Sequence, residues 1–194
     1  AEVARRLRDK DFKEINLKEG TETAVLVTGG FSGAKGRSGA TFAKQLNGLV
    51  EDGKTQYVGV RNPFTDVLDA DDVRNPDSTK SIPKILDMFA KTHEIGYNPD
   101  AAEIAAQAMD LLAKNPQLKL KIAGYSGGGY VAEDVIELLK SQGADMKRVE
   151  VMGVATPQLP GGIKNRDFKK IMGAQDPVMA TQQLKQLNNQ VRDI

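Results

Sequence analysis

The sequence of 194 residues contains no cysteine, no tryptophan and one histidine, His93. Without cysteine, the chain has no disulfide bond, no thiolate metal site and no cysteine nucleophile. With one histidine, it cannot build a metal site on two imidazoles, and it has few choices of general base for nucleophilic catalysis. The single histidine therefore restricts both metal binding and catalysis.

An excess of charge of one sign is also missing, since 27 Lys and Arg oppose 26 Asp and Glu and leave a formal net charge of +1. Without a large positive field, and with 5% aromatic residues, we expect no nucleic-acid partner. No apolar run approaches the roughly 20 residues of a membrane-spanning helix, and the first residues lack a signal-peptide core. We expect a cytoplasmic globular domain. Because the sequence begins without Met, we expect either a processed chain or a piece of a larger one.

Strand-like and helix-like segments alternate in the hydrophobic pattern. Thr23–Thr28 is a continuous β-branched and leucine run, typical of a strand covered on both faces. The other predicted strands are Gln56–Val60, Leu118–Ala123, Val149–Val154 and Lys169–Met172. The predicted helices are Ala40–Val50, Pro83–Lys91, Ala101–Lys114 with a cap at Asp100, Gly128–Ser141 closed by Gly143, and Ala180–Asn188. The pattern predicts an α/β fold with three αβα layers and a mostly parallel sheet of about five strands.

The length predicts one domain. Residues 1–20 are highly charged and are predicted to form a lead-in segment, and residues 21–194 are predicted to form the α/β domain. Right-handed crossovers between parallel strands then place the functional loops at the carboxyl ends of the strands.

A glycine-rich turn directly follows the third predicted strand and reads Gly124-Tyr125-Ser126-Gly127-Gly128. This is G-x-S-x-G between a strand and a helix, the arrangement of a nucleophile elbow. The glycines let the strand and helix backbones pass closely, and the serine projects above the sheet at the positive end of the helix. Ser126 is therefore the candidate nucleophile. The alternative is that the segment is only a flexible connection rich in Gly and Ser.

Together with this motif, residues 22–180 resemble the α/β-hydrolase superfamily, in particular its class 3 lipases and cutinases. Val25–Gly33 (VLVTGGFSG) is similar to the family's strand and oxyanion loop. The resemblance implies that the backbone N–H groups of Phe31 and Gly127 form the oxyanion hole.

Two later segments extend the resemblance. Val151–Pro157 is similar to the family strand that ends in G-x-P, and Ile171–Val178 resembles the next strand, which carries the triad acid. By this match Asp176 is the acid. Taken alone, Asp176 is equally well explained as an Asp-Pro turn residue.

The family's histidine base is missing from its usual place after the acid. The chain ends eighteen residues after Asp176, and no histidine follows that residue. Three alternatives stay open: a histidine in sequence outside this chain, His93 in an unusual position, or a catalytically inactive relative. The segment that contains His93 is predicted to lie on the carboxyl side of the sheet, toward which Ser126 points. A solvated histidine at a helix end is the alternative.

Two other patterns suggest different chemistry. Val27–Gly36 resembles the dinucleotide loop of short-chain dehydrogenases, but no tyrosine is followed by the family's lysine in Tyr-x-x-x-Lys, and such a loop alone is a weak signal. The acidic residues of the long loop between the second and third predicted strands lack the Gly and Glu of a calcium loop. We expect no metal and no cofactor.

The predicted function is a serine hydrolase that acts on an ester or thioester through an acyl-enzyme on Ser126. The expected partner is a small-molecule or lipid acyl substrate. Thr156–Asp167, between the fourth and fifth predicted strands, is too short for a large lid, so we expect an open site. The first alternative is a catalytically inactive domain of the same fold that binds a partner protein or ligand. A weaker alternative is an NADP-binding domain.

Overall fold

A parallel sheet forms the centre of the computed structural model, which describes residues 1–31, 35–74, 78–125 and 127–154. Its strands are β1 (Thr23–Thr28), β2 (Thr55–Gly59), β3 (Lys119–Tyr125) and β4 (Val149–Val154). The order is β2-β1-β3-β4, and every neighbouring pair is parallel. The chain therefore runs outward from β1 to β2 and returns to the other side of β1. This reversal makes the carboxyl ends of β1 and β3 the switch point of the sheet.

Six α-helices accompany these strands in the described residues. They are α1 (Glu2–Asp9), α2 (Ser38–Leu49), α3 (Ala70–Arg74), α4 (Ser78–Ile95), α5 (Pro99–Lys114) and α6 (Gly128–Ser141). A short 3-10 helix, Met146–Arg148, leads into β4. Among the described residues, no helix is both long and apolar enough to cross a bilayer.

Alternate residues of β1 are buried on opposite faces of the sheet. Ala24 and Leu26 belong to the larger core, which includes apolar residues of α5 and α6. Val25 and Val27 belong to a second cluster with Ala43 of α2. Helices therefore cover both faces, as the continuous apolar run predicts.

The α/β class and the parallel sheet are thus confirmed, and helices on both faces are consistent with three layers. The described sheet has four strands rather than about five. The fifth predicted strand, Lys169–Met172, and the predicted helix Ala180–Asn188 lie outside the described residues.

The charged N-terminal segment packs onto α5. Val3 is 1% exposed and belongs to the larger core, and the side-chain amide of Gln107 donates to the Lys13 carbonyl at 2.9 Å. The charges of α1 pair with one another along the solvent side, for example Arg6 with Glu2. The segment predicted as a lead-in therefore packs against α5 and the larger core.

The predicted start of α4 and the predicted cap of α5 are wrong. The helix α4 begins at Ser78, five residues before Pro83, which lies exposed inside the helix. The N-cap of α5 is Asn98, not Asp100, because the Asn98 side chain accepts the Asp100 N–H at 2.9 Å. Asn followed by Pro at the first helical position is a favourable helix start, and it leaves the Asp100 carboxylate available for another partner.

Candidate active site

The loop after β1 and the turn after β3 begin side by side. Thr28 of β1 is paired in register with Gly124 of β3, and both strands end at this level. In open parallel sheets, ligands bind in the crevice at such a switch point. The topology therefore brings together the two segments that carry the predicted nucleophile and the predicted oxyanion donors.

The two segments touch backbone to backbone. A Cβ atom added to Gly30 would lie 2.5 Å from the backbone N of Gly127 and 2.9 Å from its Cα. No side chain fits at Gly30 without a shift of one backbone. Phe31 directly follows Gly30, so the loop that carries one predicted donor lies against the residue that supplies the other.

The glycines of the G-x-S-x-G motif are also required by close contacts. A Cβ on Gly124 would lie 2.3 Å from the Gly128 carbonyl oxygen, and a Cβ on Gly128 would lie 2.4 Å from the Thr28 carbonyl oxygen. The end of β3, the start of α6 and the end of β1 thus pass within distances that exclude larger residues. Ser126 stands in the sequence between the last residue of β3 and Gly127, and it lies outside the described residues.

An aromatic cluster joins the loop after β1 to α4 and α6. The Phe31 ring packs over Gly127, where an added Cβ would lie 2.6 Å from Phe31 Cε2. The Phe31 and Phe89 rings meet edge to face with centroids 6.4 Å apart, and Phe89 meets Tyr130 at 5.9 Å. These contacts fix α4 beside the candidate site.

The packing of α4, which lies between β2 and β3, beside Gly127 was not predicted from the sequence. The predicted open site depends on Thr156–Asp167, which lies outside the described residues, and it stays a prediction. The signal that was present is the helical spacing of Ile82, Ile85, Leu86 and Phe89, which form part of this cluster.

A small cavity lies beside Gly127 under α4. Phe31, Phe89 and Tyr130 line its apolar side, together with Met88. Its volume gives room for about one water molecule. The polar residues of the lining are Thr65, Thr92, Asn98 and Asp134.

A buried hydrogen-bond network holds the polar side of this cavity. The Asp100 carboxylate accepts from the Thr65 N–H and hydroxyl, both at 2.7 Å, and from the Phe64 N–H at 3.1 Å. The Asn98 side-chain amide donates to Thr65 Oγ1 at 2.9 Å, and the Asn98 N–H donates to Asp134 Oδ2 at 2.9 Å. The start of α5 is thereby bound to the loop after β2 and to α6.

Burial changes the titration of two groups at this edge. Burial raises the pKa of Asp100, and the hydrogen bonds from Thr65 and Phe64 only partly oppose it. Burial, reinforced by the nearby Glu133 charge, raises the pKa of Tyr130 to about 12. Tyr130 is therefore a neutral phenol at physiological pH.

The remaining predicted triad residues are placed less directly. His93 lies in the last turn of α4 and is exposed, while its neighbour Thr92 is buried against the cavity. His93 is four residues, about one helical turn, beyond Phe89 in α4. Asp176 lies outside the described residues. The roles of His93 and Asp176 therefore stay predictions.

The acidic residues Asp69 and Asp72 and the glycine-rich loop after β1 form hydrogen bonds and ion pairs within the chain. Lys84 of α4 binds Asp69 at 3.1 Å and Asp72 at 2.5 Å, and these hydrogen bonds and charges raise the pKa of Lys84. In the glycine loop, the Gly36 N–H donates to Asp66 Oδ2 at 2.7 Å. A carboxylate at this loop disfavours a dinucleotide phosphate by charge repulsion. Within the described residues, no group of three potential ligands is positioned to hold a metal ion.

Comparison of the chain with models of known protein families and with curated proteins finds no match. The fold and the carboxyl edge of β1 and β3 define an α/β domain with a glycine-dependent strand–turn–helix at the switch point of a parallel sheet. A function for the chain is therefore inferred from its own residues and geometry.

Proposed function

We propose that the chain is a serine hydrolase that acts on an ester or thioester, with Ser126 as the nucleophile. The observation that carries this proposal is the backbone contact between Gly30 and Gly127 at the switch point of the sheet. It supports an oxyanion hole because the Phe31 N–H and the Gly127 N–H belong to the two segments in contact. Two backbone donors from adjacent loops are the usual composition of such a hole.

The proposed reaction uses these groups in sequence. Ser126 Oγ attacks the carbonyl carbon and gives its proton to a base, and the Phe31 and Gly127 N–H groups bind the oxyanion that forms. The positive end of α6 adds to this stabilisation, since the first N–H groups of a helix lack acceptors within it. Collapse breaks the bond to the alcohol or thiol, which leaves with the proton. Water then hydrolyses the acyl-enzyme to a carboxylic acid and restores Ser126.

The base and the acid are the less supported part of the proposal. His93 is proposed as the base because it is the one histidine of the chain and lies on the helix that packs against Phe31. Asp176 is proposed as the acid that orients the base. A histidine supplied from outside this chain is the competing source of the base.

Labelling with a fluorophosphonate probe tests the nucleophile. We expect one adduct per chain, mapped by mass spectrometry to Ser126, and no adduct in Ser126→Ala. Ser141→Ala is the matched control, because Ser141 is an exposed serine at the end of α6 that donates to the Leu138 carbonyl. Absence of labelling in a folded wild-type chain would contradict the hydrolase proposal and favour the binding-domain alternative.

The same assay tests His93. If His93 is the base, His93→Ala should slow labelling by about 10²-fold or more, whereas Glu94→Ala, at the neighbouring exposed position, should not. Unchanged labelling of His93→Ala would exclude His93 and leave Ser126 in place.

A further inference from the structure

We infer that the acyl group accepted by this site is acetyl, a carbonyl that carries one methyl group, and that Phe89 of α4 sets this limit. The inference rests on the proposed function and adds to it the class of substrate: acetyl esters or acetyl thioesters. It follows from the size, lining and support of the cavity beside Gly127.

The cavity is adjacent to both proposed oxyanion donors. Phe31 and Gly127 line it, so we place in this cavity the carbon substituent of a carbonyl group bound by their N–H groups. The cavity has room for about one water molecule, which is close to the size of a methyl group. We therefore expect this space to accept a methyl group and to exclude a chain of three or more carbons.

The polar residues of the lining do not require a polar acyl group as a hydrogen-bond partner. The Asn98 amide donates to Thr65 Oγ1, Thr65 donates to Asp100, and the Thr92 hydroxyl donates to the Met88 carbonyl at 2.9 Å. These hydrogen bonds are made within the chain, so a methyl group displaces no partner of theirs. A substrate group placed here would gain from apolar contact with the aromatic side of the cavity.

Phe89 closes the apolar side. It is 3% exposed, and its ring lies between the rings of Phe31 and Tyr130. Both neighbours are themselves fixed, Phe31 over Gly127 and Tyr130 in the first turn of α6. A longer acyl chain must therefore displace a packed ring, and close-packed interiors resist such insertion.

The test measures kcat/KM for p-nitrophenyl acetate, butyrate and octanoate, which share one leaving group. We expect wild-type kcat/KM for butyrate to be at least about tenfold below that for acetate, with octanoate lower again. Phe89→Ala should raise the butyrate-to-acetate ratio about tenfold, and the smaller change Phe89→Leu should raise it less. Phe12→Ala, which truncates a phenylalanine that packs against the larger core, should leave the ratio unchanged. Circular dichroism establishes whether each variant is folded. If Phe89→Ala does not fold, the butyrate-to-acetate ratio of Phe89→Leu tests the role of Phe89.

The outcomes separate this inference from the proposed function. Similar kcat/KM values for all three esters, lost in Ser126→Ala, would overturn the acetyl limit and leave the hydrolase proposal standing. An acetate preference that the Phe89 variants do not change would overturn the role of Phe89. No hydrolysis of any ester that depends on Ser126 would overturn the hydrolase proposal and this inference with it.

Discussion

At the scale of single residues, the site depends on positions where a side chain is absent. Gly30, Gly124 and Gly128 each face a backbone atom at 2.5 Å or less from the place of a Cβ. Such contacts cannot relax by rotation of a side chain, because both partners are main chain. Three backbone segments thereby take up one fixed arrangement at the carboxyl edge of β1 and β3, and the proposed oxyanion donors belong to these segments.

Gly30→Ala tests this arrangement directly. The added methyl group would meet Gly127 N at 2.5 Å, so we expect the two loops to separate and the fluorophosphonate labelling rate to fall about 10²-fold, as for loss of one oxyanion donor. The free energy of unfolding should fall by about 1–3 kcal/mol through overpacking.

Gly48→Ala is the control for Gly30→Ala. A Cβ on Gly48 would meet nothing within 4 Å, and Gly48 is exposed near the end of α2. Alanine in a helix is more favourable than glycine by about 0.5–1 kcal/mol, so this variant should be slightly more stable and label at the wild-type rate. Equal labelling of both variants would show that the contact at Gly30 does not position the donors.

At the scale of elements, the segments with strong periodicity were predicted and those fixed by distant partners were not. The strand run Thr23–Thr28 and the helix Gly128–Ser141 have the predicted bounds, because their apolar pattern matches their final burial. By contrast, α4 extends to Ser78, since its polar first turns carry little periodic signal and Pro83 suggested a later start.

The candidate site divides in the same way. The glycines around Ser126 were predictable, because the need for close backbone passage is local to a strand–turn–helix unit. The cavity lining was not predictable: Asp100 reaches Thr65 across 35 residues of sequence, and Phe89 meets Tyr130 across two helices. Such contacts depend on the complete fold and leave no spacing in the sequence.

The join between α5 and the loop after β2 should respond to pH through Asp100. Burial raises its pKa, so the folded chain holds this proton to a higher pH than the unfolded chain does. Its contribution to stability is therefore complete below the ordinary Asp pKa, about 3.9, and is lost as the pH rises through the raised value. Wild type should lose stability relative to Asp100→Asn between pH 4 and the raised pKa, as measured by urea unfolding at successive pH values.

For Asp52→Asn, we expect the difference in stability from wild type to change with pH in the opposite direction. Hydrogen bonds from the Lys54 and Thr55 N–H groups lower the pKa of Asp52, assisted by the Thr55 hydroxyl. Its contribution is present above the ordinary Asp pKa and is lost as the pH falls through the lowered value. Wild type should therefore gain stability relative to Asp52→Asn as the pH rises. The same slope in both comparisons would contradict the assignment of Asp100.

At the scale of the whole molecule, the N-terminal segment and the sheet form one body in the described residues. Val3 of α1 is in the same apolar core as residues of β1, β3, α5 and α6. The segment is polar in composition, yet its partly buried Leu7, Phe12, Ile15 and Leu17 also pack against that core. We therefore expect residues 1–20 to unfold together with the α/β domain.

Val3→Ala measures this coupling. Val3 is 1% exposed, so loss of its methyl groups should lower the free energy of unfolding by about 1–2 kcal/mol. Val50→Ala, at an exposed position after α2, should change it by less than about 0.5 kcal/mol. Urea unfolding followed by circular dichroism should show one transition for both variants, with only Val3→Ala displaced to lower urea. Two transitions, with only the smaller one displaced by Val3→Ala, would instead make the N-terminal segment a separate unit. If the N-terminal segment is a separate unit, removal of residues 1–20 should leave the fluorophosphonate reaction at Ser126 intact. If the chain is a single cooperative unit, the same removal should abolish both the fold and the reaction.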